Sequence, residues 1–418
     1  MSEIIINGGK RLSGRVSVQG AKNSVLPVLA GTVLCGGESV VHNCPMLSDV
    51  ETSLKILEHL GCKCRREGGA VIVDSSGVSE YDIPDSLMRE MRSSVVFLGA
   101  VIGRMGRAVI SSPGGCELGP RPIDLHLSAL ERMGVTITEE HGYLKCTAEN
   151  GLHGAKIHLG FPSVGATENI ILAAAVAAGV TVIHNAANEP EISDLADFLN
   201  SAGARISGCG SDTVRIEGVK RLGGTEHTII PDRIVAATYM ACAAVTGGEI
   251  ELENVMPPHM VSLLWSFREC GCDISVSGKG LRLSAPKRLH RIPTLRSLVY
   301  PGFPTDAGPV AVAMLASAEG TSVFVENIFE NRYRYIDELN RFGTKIKTEG
   351  KTAVIEGVGE LSGAHAKATD LRGGAALVVA ALKAHGASEI GDTHHIERGY
   401  EKITERLSSL GADISYKR

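Results

Sequence analysis

Six times along this chain of 418 residues, an amphipathic helical pattern runs into a glycine and then into a short strand pattern. The glycines are Gly61 (LEHLGC), Gly134 (LERMGV), Gly203 (LNSAGA), Gly271 (FRECGC), Gly343 (LNRFGT) and Gly411 (LSSLGA). They recur about every 70 residues, too long a period for thin solenoid repeats of roughly 20–50 residues. In each repeat, about 40 residues before the glycine, a polar or charged residue opens a very apolar helical stretch. Six equivalent helix starts give six places at which one charged site can be assembled.

The apolar stretches are SVLPVLAGTVL after Lys22-Asn23, SSVVFLGAVIG after Arg92, and IILAAAVAAG after Ser163-Val164-Gly165. IVAATYMACAAVTG follows Asp232-Arg233, GPVAVAMLASAEG follows Asp306, and GGAALVVAALKAHG follows Asp370-Leu371-Arg372. Apolar on nearly every side, such helices are expected to be buried between other elements. Gly37, Gly106, Gly179, Gly248, Gly320 and Gly386 are predicted to stop them in the left-handed conformation. The strand patterns ESVVHN, RAVISS, VTVIHN, EIELEN, TSVFVEN and ASEIGD come next. The second helices, such as ETSLKILEHL and DLADFLNSA, keep a polar face and are expected outside, against sheet.

Three repeats precede residue 230 and three follow it. Segment 1–20 resembles the strand pairs before later repeats, such as RIEGVKRLGGTEHTII and VIEGVGELSGAHAKAT. The expected division is therefore 21–229 as one domain, and 1–20 together with 230–418 as the other. Both are of α/β class, and the three-plus-three count fits no Rossmann pattern.

A formal charge of −5 without any Lys/Arg run argues against a nucleic-acid partner. Apolar runs break before the roughly 20 residues of a membrane span. No basic region followed by an apolar stretch opens the chain, so a cytoplasmic location is expected. The ten cysteines are then reduced thiols rather than a disulfide scaffold. Cys62/Cys64 and Cys270/Cys272 flank repeat glycines where other repeats place Met, Val, Ala, Phe or Thr, so they read as core rather than metal ligands. His394-His395 reads as a solvated turn. Neither a metal nor a cofactor is expected.

Helix starts carry free N–H groups and the positive end of the helix dipole, which favour anions. Lys22, Arg92, Arg233 and Arg372 add full charges there, and Arg121, Arg332 and Arg398 sit in the loops before second helices, with Asp49 and Glu189 at similar offsets. Surface ion pairing is the alternative for any one of them. Recurrence in register points instead to a phosphate- or carboxylate-bearing substrate.

The stretch SSPGGCELGPRPIDLH (111–126) makes the pattern specific, together with GAKN (20–23), FPSVGATEN (161–169), PDRI (231–234), GFPTD (302–306), IFENR (328–332), TDLR (369–372) and HHIERGYE (394–401). In this order and end to end, they resemble the UDP-N-acetylglucosamine 1-carboxyvinyltransferases, the enolpyruvyl transferase family that opens peptidoglycan synthesis. The resemblance implies two inside-out α/β barrels of three repeats each, with helix N-termini facing an interdomain cleft. It also implies transfer of enolpyruvyl from phosphoenolpyruvate to the 3′-hydroxyl of UDP-N-acetylglucosamine, with release of phosphate. These small molecules are the partners implied; oligomeric state is left open.

Carried onto this sequence, the resemblance makes Cys116 the proton donor and a thiol able to add to phosphoenolpyruvate, on a Gly/Pro-rich lid. Asp306 is implied as the base, although an aspartate at a helix start is also a favoured cap. Lys22 and Arg398 are implied as catalytic. With Asn23 and Arg121 they clamp phosphoenolpyruvate, assisted by Arg332, Asp370 and Arg372. The acceptor is implied to contact Asn23, Arg92, Arg121, Pro122, Ile123, Asp124 and Leu125, the run Ser163, Val164 and Gly165, and Asp306 and Ile328. Four positions depart from the family pattern: Phe161 where some members have lysine, Ala307 and Gly308 for a larger residue and Gln, and Val96 for Trp. The rival readings are the related shikimate-pathway enzyme, with another acceptor on the same fold, and a silent sugar-nucleotide-binding paralogue.

Overall fold

The computed structural model describes residues 3–111 and 123–417. They form two compact units, with the chain crossing between them at Gln19–Gly20 and returning at Ile230–Pro231. Each unit has its own apolar core.

One motif is built six times. Every repeat forms a four-stranded sheet in the order parallel edge strand, central strand, and two antiparallel strands. In one, strand 226–228 pairs in parallel with 38–42, which pairs antiparallel with 70–74, and that with 63–67. The central strands alternate buried residues with more accessible ones, as in Glu249–Glu253, because only one face meets the helices. At the foot of each outer helix the repeat glycine turns the chain into the next strand. All six, from Gly61 to Gly411, have φ between 85° and 107°, where a side chain is strained.

The apolar stretches are helical and buried: Lys22–Thr32, Phe97–Met105, Val164–Ala174, Arg233–Val245, Gly308–Leu315 and Leu371–Lys383. In the Arg233 helix every residue is buried. Small residues let these helices approach closely. A methyl group on Gly99 would stand 2.3 Å from the backbone oxygen of Asn169 on the neighbouring helix.

The predicted glycine stops hold only in part. Gly106 caps its helix directly at φ 69°, and Gly179, Gly320 and Gly386 are left-handed several residues beyond theirs. Gly37 and Gly248 are not left-handed; Gly247 takes that role in the fourth repeat at φ 62°. The Lys22 helix ends at Thr32 with Val33 still right-handed, so a turn has released the chain before Gly37 is reached.

A different residue marks the end of the central strands. Asn43, Asn185 and Asn254 adopt φ of 53°, 57° and 55°, a region asparagine tolerates. Their side-chain amides donate to the carbonyls of Ile229, Leu159 and Val18 at 2.8, 2.7 and 2.7 Å. Asn327 does the same to Ser297 at 3.0 Å. Each acceptor lies just past a parallel edge strand, so the amide fixes where the chain leaves the sheet.

Two strands are exchanged along the sequence. Strand 13–17 directly precedes the Lys22 helix, yet it pairs with Glu249–Glu253, and 226–228 supplies the edge beside 38–42. The last repeat is closed by the start of the chain: Glu3–Asn7 inserts between 387–391 and 413–417, with Ile4 opposite Ile390 and Tyr416. Among the described residues no helix is long and apolar enough to cross a membrane.

Candidate active site

In the unit spanning 20–230, the helix start at Lys22 carries a buried ion pair. Lys22 Nζ lies 2.8 Å from Asp49 Oδ2, with side chains 9% and 3% exposed. Asp49 is set by the first turn of the outer helix Ser48–His59. Next to Lys22, Asn23 is exposed, while the Ser24 hydroxyl donates to the buried Asp194 carboxylate. Asp194 also meets His227 Nε2 at 2.9 Å, so the start of this helix is anchored from two other elements.

The 163–165 run opens another buried helix. Ser163 Oγ accepts from Ala166 N at 3.3 Å as its cap, and Ser163, Val164 and Gly165 are half-buried. Asn169 ties this helix to its neighbours. Its Oδ1 accepts from Gly99 N at 2.6 Å, and its Nδ2 donates to Val95 O at 3.1 Å and faces His126 Nδ1 at 2.9 Å. His126 follows Asp124 and Leu125 on the helix Asp124–Arg132. That tie sets the start of the Asp124 helix against the start of the Val164 helix, and a methyl group on Gly165 would press the imidazole at 3.1 Å. Arg92 opens a 3-10 turn ahead of the Phe97 helix.

Glu168, one turn into the Val164 helix, is buried. Burial first, then the neighbouring Glu191 and Glu189, push its carboxyl well above the ordinary 4.5.

In the unit holding 231–417, three helix starts are charged. Asp306 lies inside the 3-10 turn Thr305–Ala307, one residue before Ala307, the N-cap position of the Gly308 helix. The Asp306 carboxylate accepts from two arginines. Arg332 Nη2 reaches Oδ1 at 3.2 Å, and Arg372 reaches Oδ2 through Nη2 at 3.2 Å and Nε at 3.3 Å. Both arginine side chains are 2% exposed, against 26% for Asp306. Two aspartates cap their helices by their side chains. Asp370 accepts from Arg372 N and Gly373 N at 3.0 and 2.9 Å, and Asp232 from Ile234 N and Val235 N at 2.9 and 3.0 Å.

Burial alone would lower the Arg372 guanidinium; Tyr400, Asp306 and Asp232 outweigh it and hold it above its ordinary range. Among the described residues, Arg332 Nε and Arg372 Nη1 are buried without a hydrogen-bond partner. Such N–H groups cost free energy unless an acceptor reaches them, and a phosphate or carboxylate is the acceptor a guanidinium fits.

Glu326, not foreseen from the sequence, holds the Asp306 turn in place. It is 1% exposed and accepts from Thr305 Oγ1 at 2.8 Å, Ser297 Oγ at 2.7 Å and Ile328 N at 2.8 Å. One buried carboxylate thus orients both Asp306 and Ile328. No repeat pattern singles it out, because its partners come from three separate segments. Arg233 is buried, its guanidinium 5.5 Å from the Tyr300 ring centroid. Arg398 is half-buried, just after the short helix His394–Glu397. The His394–His395 pair therefore stands in a helical turn, its rings 4.1 Å apart.

The structure brings together Lys22 with Asp49, and Asp306 with Arg332 and Arg372. It places His126, which follows 123–125, against Gly165. Cys116, Arg121 and Pro122 lie outside the described residues. Cys62, Cys270 and Cys272 are buried in the cores, and burial pushes their thiols up to about 12. They pack as small apolar groups.

The chain matches the family described as EPSP synthase (3-phosphoshikimate 1-carboxyvinyltransferase) over residues 6–407. It is 52% identical over 414 residues, 99% of both chains, to UDP-N-acetylglucosamine 1-carboxyvinyltransferase 2 of Caldanaerobacter subterraneus subsp. tengcongensis. To UDP-N-acetylglucosamine 1-carboxyvinyltransferase 1 of Symbiobacterium thermophilum it is 47% identical over 416 residues, 98% of this chain and 94% of that one. Among solved structures, the enolpyruvyl transferase NikO from Streptomyces tendae superposes with TM-score 0.89 at 24% identity, over 100% of this chain and 99% of that chain. EPSP synthase from Acinetobacter baumannii gives 0.78 at 20% identity, over 100% of both.

Proposed function

Because the chain belongs to the enolpyruvyl transferase family, we propose that it transfers the enolpyruvyl group of phosphoenolpyruvate to the 3′-hydroxyl of UDP-N-acetylglucosamine. Phosphate leaves, and the product enters peptidoglycan synthesis in the cytoplasm. The acceptor oxygen bonds to C2 of phosphoenolpyruvate while a proton adds to its methylene carbon. Loss of phosphate and of one methyl proton then restores the double bond. Asp306 takes the hydroxyl proton, and Cys116 supplies the proton to the methylene carbon. Lys22, Arg332, Arg372 and Arg398, with Asn23, Arg121 and Asp370, hold the anionic donor. The 163–165 run, with Arg92, 121–125, Asp306 and Ile328, holds the acceptor, small residues letting backbone N–H groups approach a diphosphate.

The observation that carries this reading is the carboxylate of Asp306 between two buried guanidiniums, each with an N–H that no described residue accepts. A proton acceptor and an anion-binding pair stand within hydrogen-bond distance of one another. The relatives named as transferases to UDP-N-acetylglucosamine support the acceptor. Phosphate release from phosphoenolpyruvate is measured with UDP-N-acetylglucosamine and, separately, with shikimate 3-phosphate. Release with the first alone is expected; release with the second alone overturns the assignment.

A further inference from the structure

We propose that Gln19 is a positioning residue for Arg398, acting through its side-chain amide on the loop that carries that arginine. The inference rests on the reading of Arg398 as part of the phosphoenolpyruvate clamp.

Gln19 is 7% exposed and is the last residue of its unit before the chain crosses at Gly20. Its amide is spent on one target. Nε2 donates to Gly399 O at 3.2 Å, and Oε1 accepts from Glu401 N at 2.7 Å, across some 380 residues of sequence. Donor and acceptor bracket Tyr400, so the amide clamps the backbone immediately after Arg398. The main chain of Gln19 is fixed as well, its carbonyl accepting from Asp232 N at 2.9 Å. Asp232 is itself held as the cap of the Arg233 helix.

The clamp is separable from the packing of the loop. Tyr400 is 2% exposed and its hydroxyl meets Thr238 Oγ1 at 3.0 Å. The Arg372 guanidinium lies 5.4 Å from its ring centroid. Tyr400 therefore anchors the loop to the core by its side chain, and Gln19 sets the backbone direction on either side. A guanidinium displaced by a fraction of an ångström loses hydrogen-bond geometry with an anion. The fold survives such a shift; the clamp does not.

The test is Gln19→Met, which keeps length and apolar stem and removes both amide bonds. Steady-state phosphate release gives the KM of each substrate, and thermal unfolding is recorded beside it. The KM for phosphoenolpyruvate is expected to rise about tenfold, as a guanidinium moved out of line gives up roughly one hydrogen bond to the anion. The KM for UDP-N-acetylglucosamine is expected to stay close to wild type, while the Tm falls by only a few degrees as Gly399 O and Glu401 N lose their partners. Arg398→Ala is measured alone and combined with Gln19→Met, where the methionine should add nothing further. An unchanged phosphoenolpyruvate KM in Gln19→Met overturns the inference. So does a rise of both KM values together with a Tm fallen much further, or a full additive effect in the Arg398→Ala background. If Arg398→Ala itself leaves the phosphoenolpyruvate KM unchanged, the reading of Arg398 fails and takes the inference with it.

Discussion

Replacing Asp306 by asparagine separates its charge balance with Arg332 and Arg372 from the proton acceptance proposed for it. The side chain keeps its shape and loses its charge between two guanidiniums that each sit about 3.2 Å away. With charge centres ~4 Å apart and an effective dielectric of ~20, each pair attracts by about 4 kcal/mol before desolvation is counted. The arginines are 2% exposed, so water does not replace the missing carboxylate. Breaking a buried pair in this way costs ~3–5 kcal/mol of stability. The free Asp306→Asn protein should therefore unfold at lower temperature than wild type. Inorganic phosphate or phosphoenolpyruvate should restore much of the loss, ~2.7 kcal/mol at a concentration of 100 Kd. Affinity for these anions should rise, because the two cations no longer share their charge with a resident carboxylate. Turnover should fall ~10²–10⁴-fold, the usual worth of a positioned general base. The assay is phosphate release for turnover, with calorimetric titration of phosphoenolpyruvate for binding. Turnover within tenfold of wild type, or weaker anion binding, would refute the argument.

Three further outcomes are expected. Glu168→Gln should stabilise the protein increasingly as pH rises above the ordinary 4.5, because burial with Glu191 and Glu189 raises the folded-state value. The native carboxyl is unpenalised below the unfolded value and loses stability as pH climbs through the raised one, so Tm curves of the two proteins should coincide in acid and diverge toward alkaline pH. Gly99→Ala places a methyl group 2.3 Å from Asn169 O and should cost ~1–3 kcal/mol of stability in denaturant titration. Cys116→Ala should abolish most turnover, and Cys116→Asp should keep part of it while resisting alkylation by fosfomycin-type epoxides, as read by mass spectrometry of the intact protein.

Much of the repeat was legible because its signals are local. The six glycines at the feet of the outer helices are all left-handed, and the apolar stretches are the buried helices. Side-chain patterning specifies these features within a few residues of chain. The stops after the buried helices were only partly legible, since a helix ends where capping and packing release it. The asparagine pattern had been open to view in VVHN, VIHN and ELEN, but its meaning depends on a carbonyl brought near by sheet pairing. Asp306 carried two compatible readings in sequence, base and cap. The structure shows side-chain caps at Asp370 and Asp232 and pairs Asp306 with two arginines.

The amino-acid order alone determined the sixfold α/β repeat, the burial of one helix in each, and the concentration of charge at helix starts. Those properties follow from periodicity and from the polarity of helix ends. Only the tertiary structure decided that strand 13–17 pairs with 249–253 rather than with the repeat it introduces, and that Glu3–Asn7 closes the last sheet. It also decided that Arg332 and Arg372, 26 and 66 residues from Asp306, share its carboxylate. Strand patterns in a sixfold duplication are nearly interchangeable, so their partners are chosen by the closure of each core. Ion pairs form wherever that closure leaves buried charges within reach of one another.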